Sequence, residues 1–71
     1  MKFKNIKVEI NGDQPLVEVV MEFERLGYKK HHIEDNANIV LTKDIGTYSC
    51  YRFTVYDSFN MITLAELKEM K

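Results

Sequence analysis

Among the side chains that could do chemistry, the densest group is His31-His32 followed by Glu34-Asp35, with Cys50 the one thiol of the chain. All five are potential metal ligands. Adjacent histidines on an extended strand point to opposite faces, whereas a metal needs convergent ligands with supporting hydrogen bonds. Cys50, His31 and His32 also lack the paired spacing of a zinc site, so neither a metal nor any other cofactor is expected. A thiol beside a histidine can act as a nucleophile, but a lone strand cysteine is ordinarily inert packing. The sequence contains no nucleophile elbow, phosphate-binding glycine loop or metalloprotease helix motif. The expectation is a protein that binds rather than one that catalyses.

Two sets of residues could do the binding. Thr47 to Tyr56 is the stretch richest in aromatic and β-branched residues and reads as a strand. Its two faces carry Thr47, Ser49, Tyr51, Phe53 and Val55 on one side and Tyr48, Cys50, Arg52, Thr54 and Tyr56 on the other. Assigning Tyr51, Phe53 and Val55 to the core leaves Tyr48, Arg52 and Tyr56 on an open face. Tyrosine and arginine are frequent at binding hot spots, because they join large apolar area to polar tips. Such a face can make cross-strand pairs in water, meet a second copy, or meet a foreign partner. The second set is Lys29, Lys30 and Arg52, with His31 and His32 beside the lysines. These cations could meet the phosphate of a small nucleotide while tyrosines stack its base. Because strand residues alternate in direction, the same lysines also read as guards of a solvated sheet edge.

The elements that would position these residues follow from spacing. Ile6, Val8 and Ile10 alternate with Lys7 and Glu9, marking a strand from Phe3 to Ile10. Asp13 is placed to cap a helix with Pro15 in its first turn. Leu16, Val19, Val20, Phe23 and Leu26 then recur at helical spacing up to Gly27, which can close the helix. Tyr28–Ile33 and Ile39–Thr42 read as strands joined by a hairpin connection over residues 34–38. Thr63-Leu64-Ala65-Glu66 is a capping box, flanked by Ile62 and Leu67 as a hydrophobic staple, and predicts a helix from Leu64 to about Met70. The order β-α-β-β-β-α implies a single two-layer α+β domain: a mostly antiparallel four-stranded sheet with both helices on one face. Two helices cover one side of such a sheet, so the other side is expected to stay bare.

Composition narrows the partners. Ten Lys and Arg against eleven Asp and Glu leave a formal net charge of −1, which gives no basic excess for neutralising duplex phosphates. Apolar runs are too short for a membrane span. One cysteine forbids an internal disulfide, and with no secretory apolar segment the expected compartment is the reducing cytoplasm. A chain of 71 residues buries only about 60% of its unfolded surface, so self-association is an expected aid to stability.

Two stretches carry a resemblance: Glu24-Arg25-Leu26-Gly27-Tyr28-Lys29 and Ile62-Thr63-Leu64-Ala65-Glu66-Leu67-Lys68-Glu69-Met70. Their order, a helix, "LGY", strands and then "ITLAELKEM", is similar to small accessory proteins of tailed bacteriophages. The resemblance implies an early protein acting in the host cytoplasm, one that occupies the surface of a host enzyme or defence protein or sequesters a small nucleotide signal. It carries over no functional residue.

Overall fold

In the computed structural model, which describes residues 3–52 and 59–71, the first apolar alternation becomes β1 (Ile6–Glu9), with Ile6 and Val8 buried. Asn11 organises the turn that follows, its Oδ1 accepting from the backbone N–H groups of Asp13 and Gln14. Helix α1 (Leu16–Arg25) starts with Pro15 in the extended N-cap position and no side-chain cap. Asp13 therefore does not cap it, contrary to expectation, because it lies two residues ahead of the cap position. Val19, Phe23 and Leu26 are the buried stripe, and Gly27 closes the helix at φ 98°.

The chain continues through β2 (Lys29–Ile33), β3 (Ile39–Lys43), β4 (Thr47–Tyr51), β5 (Asn60–Met61) and α2 (Leu64–Glu69). The capping box forms as the sequence indicates, with Thr63 Oγ1 accepting from the Glu66 N–H and Glu66 Oε1 accepting from the Thr63 N–H. At its other end α2 is tied to α1, where Arg25 Nη2 donates to the carbonyls of Leu67 and Met70 at 3.3 and 2.9 Å. Orphan C-terminal carbonyls of a helix too short to be stable alone are met in this way.

Among the described residues the sheet has five strands, in the order β2-β4-β3-β1-β5. β3 is antiparallel to β1 and β4, while β2 runs parallel to β4 and β5 parallel to β1. The α+β class stands, but the expected four-stranded, mostly antiparallel sheet becomes a five-stranded mixed one. Residues 34–38 are not a hairpin connection, since β4 lies between β2 and β3. β2 and β3 do run antiparallel, but β4 takes the place beside β3 that a hairpin partner would hold and pairs with β2 as well, so residues 34–38 carry the chain past β4. Of the expected Thr47–Tyr56 strand, β4 ends at Tyr51, and Phe53, Val55 and Tyr56 lie outside the described residues.

Both helices pack on one face. Ile6, Val8, Val40, Tyr48 and Cys50 form the sheet side of the core, and Val19, Phe23, Leu26, Leu64 and Leu67 meet them. The parity of β4 is thus the reverse of the expected one. Tyr48 is 2% exposed and donates from its hydroxyl to Glu24 Oε2 of α1 at 2.5 Å; Tyr51, assigned to the core, is on the other face and only half buried. That other face is not bare. Ile39, Leu41 and Ser49 belong to it by register and are buried. Among the described residues no helix is long and apolar enough to cross a membrane.

Candidate functional site

With Tyr48 enclosed, the most exposed of the described strands bearing candidate residues is β2. All five of its residues are exposed, and among the described strands it pairs with β4 alone. Its sequence, Lys-Lys-His-His-Ile, has little intrinsic strand pattern, so its neighbours must hold it extended. At the start, Tyr28 is buried between the rings of Phe3 and Phe23, with centroids at 4.9 and 5.4 Å in edge-on geometry. The Tyr28 hydroxyl accepts from the Lys4 N–H at 3.0 Å. Lys29 N–H then donates to Gly46 O at 2.9 Å. At the far end, Glu34 N–H donates to Cys50 O at 3.0 Å. Glu34 Oε1 accepts from the Arg52 N–H, and Arg52 Nε donates to Asp35 O. Arg52 therefore serves as a clasp at the end of the strand.

The pairing with β4 sets which way each side chain faces. Lys29 pairs with Thr47 and His32 with Ser49, which places both on the face away from the helices. There the His32 ring lies 5.5 Å from that of Tyr51, and its Nε2 is 3.6 Å from Glu34 Oε2. Lys30 pairs with Tyr48 and Ile33 with Cys50, on the helix side. A bulge between Lys30 and His32, at His31, interrupts the register. Bulges and lysines are common devices for guarding a free edge.

Of the first candidate set, only Arg52 is exposed; Tyr48 is enclosed and Tyr56 is outside the described residues. In the second set, Lys29 and Lys30 face opposite ways. Lys29 stands opposite Thr47, five positions before Arg52, which at about 3.3 Å per residue is about 16 Å. The structure does not gather these three cations around one phosphate. Sequence reasoning missed the pairing of His32 with Tyr51 and the Glu34–Arg52–Asp35 clasp. Neither leaves a local signal, because each depends on β2 lying beside β4.

Cys50 is fully buried, and burial pushes its thiol up from 9.0 to about 11. A rise of that size removes about 99% of the thiolate that an open thiol would hold near pH 8, and the thiolate is the reactive form. Native protein at pH 8 should therefore react with a maleimide or an aromatic disulfide at least about 100-fold more slowly than the same protein in denaturant. Labelling within the mixing time under native conditions would contradict this enclosure. Among the described residues no cluster of His, Cys, Asp and Glu is arranged to hold a metal ion.

No protein-family model matches the chain, and neither does any curated protein or any solved structure.

Proposed function

We propose that the chain is a non-enzymatic binding module that engages a partner protein through the edge of its sheet at β2. One observation carries the reading: a strand exposed at all five residues, fixed at both ends, and, among the described residues, hydrogen-bonded to the sheet on one side only. An edge of this kind offers backbone donors and acceptors in fixed directions, which is how strands recruit other chains. The resemblance to accessory proteins of tailed phages suggests a host protein as partner, with occupation of its surface as the mode of action. The alternative, a nucleotide sponge, asks Lys29, Lys30 or Arg52 to meet phosphate while tyrosines stack the base; with Tyr48 enclosed and the two lysines facing opposite ways, it draws less support.

Photo-cross-linking in bacterial cells tests the proposal. A cross-linking side chain at Ile33 should capture one discrete host protein. The same group at Glu69, beside a cleft of about 380 Å³ that also borders Ile6, Asn60 and Ile62, should capture none. Equal adducts from both positions, or none from Ile33, would reject β2 as the working surface.

A further inference from the structure

Resting on the reading of β2 as the binding edge, we infer that its occupant is an extended acidic segment of another protein, added as a sixth strand with carboxylates alternating with apolar side chains. The first ground is charge. Lys29 and Lys30, with His31 and His32 next to them, sit on a chain whose net charge is −1, so the edge is locally opposite to the rest of the molecule. Two carboxylates in this region are already engaged. Glu34 faces His32 and accepts from the Arg52 N–H, and Glu24 accepts from Tyr48.

Charge also disfavours a second copy at this edge. Two such edges side by side would bring Lys29 and Lys30 of both chains to one seam, where like charges repel. A strand of aspartates or glutamates would instead neutralise them.

The second ground is the different character of the two faces beside the edge. Away from the helices stand Lys29 and His32, with Tyr51 next to the histidine. On the helix side stand Lys30 and Ile33, the latter 44% exposed. An added strand lies about 4.8 Å from β2 with alternate residues up and down. Its carboxylates would fall beside Lys29 and His32, and its apolar residues beside Ile33. The outward backbone groups belong to Lys30 and Ile33, since the N–H groups of Lys29 and Glu34 are committed to β4 and strand hydrogen bonding alternates.

The test uses the full chain, labelled for amide NMR, and three synthetic octapeptides: alternating glutamate and valine, alternating lysine and valine, and the acidic peptide with every second amide N-methylated. The acidic peptide should shift the amides of Lys30 and Ile33 and slow their exchange. Its affinity should fall at least tenfold with Lys29→Glu/Lys30→Glu, tenfold being about 1.4 kcal/mol. The N-methylated and basic peptides should bind at least tenfold more weakly. Equal binding of the N-methylated peptide would reduce the effect to charge attraction and overturn strand addition. So would equal binding of the basic peptide, a β2-mediated dimer seen by light scattering, or no response to the acidic peptide at about 1 mM. A cross-link from Ile33 in cells with no peptide response would sink this inference and leave the binding module standing; absence of the cross-link would count against the module itself.

Discussion

Replacing Tyr48 with alanine is expected to destabilise the domain by about 3–5 kcal/mol, the range for truncating a buried aromatic residue. Tyr48 is the largest of the fully enclosed side chains, and its ring stands between the centre of the sheet and α1. A domain of this size commonly has only about 5 kcal/mol to lose, so the variant should be largely unfolded at 37 °C. Tyr48→Phe keeps the ring and removes only the bond to the exposed Glu24 carboxylate, at a cost of about 1 kcal/mol. Urea denaturation followed by circular dichroism measures both. A Tyr48→Ala midpoint within about 0.5 kcal/mol of wild type, as expected for a surface site, would return Tyr48 to an open face.

Alkaline pH gives the same prediction a second arm. Burial, and then the hydrogen bond and negative charge of Glu24, hold the Tyr48 phenol well above its ordinary value of 10.0. The folded chain keeps this proton at a pH where the unfolded chain releases it. The contribution is fully present below pH 10 and is lost as pH rises from there toward the folded-state value. Wild-type stability should therefore fall more steeply above pH 10 than that of Tyr48→Phe. Parallel pH profiles would show that the phenol is not enclosed.

Much of the fold is legible in the sequence because its signals are local. The stripe of α1, the capping box of α2 and the alternation of β1 each need only neighbouring residues to be read. Strand order is not legible: β2 lies beside β4 because a helical crossover carries it there, and no turn residue at positions 34–38 distinguishes that route from a hairpin. The parity of β4 is readable, and the expectation had it reversed. A lone strand cysteine taken as packing belongs inside, and Cys50 shares its face with Tyr48, so placing Tyr48 on an open face contradicts the reading of Cys50. The candidate site suffers most, since that parity is what groups Tyr48, Arg52 and Tyr56. The lysines of β2 are visible in the sequence, but their setting on an exposed parallel edge is not.

What fixes that edge leads to the other large effect, a loss of about 2–4 kcal/mol on Gly46→Ala. Gly46 lies in the turn between β3 and β4 at φ 94°, a left-handed conformation that costs an alanine about 1 kcal/mol or more. A Cβ there would also meet the Phe3 ring at 2.9, 3.0 and 3.2 Å. Crowding of this kind in a packed site adds about 1–3 kcal/mol. The two causes separate in a double-mutant cycle. Phe3→Ala should remove the steric part of the Gly46→Ala cost and leave the backbone part, so the paired changes should cost less than their sum by about 1 kcal/mol or more. Because Lys29 N–H donates to the Gly46 carbonyl, displacement of this turn should also loosen the start of β2. Amide exchange at Lys29 in Gly46→Ala should speed up at least tenfold relative to wild type under conditions where both remain folded, each tenfold being about 1.4 kcal/mol of local opening. Additive costs with unchanged exchange at Lys29 would mean that Phe3 does not press on the turn and that the turn does not hold the edge in place.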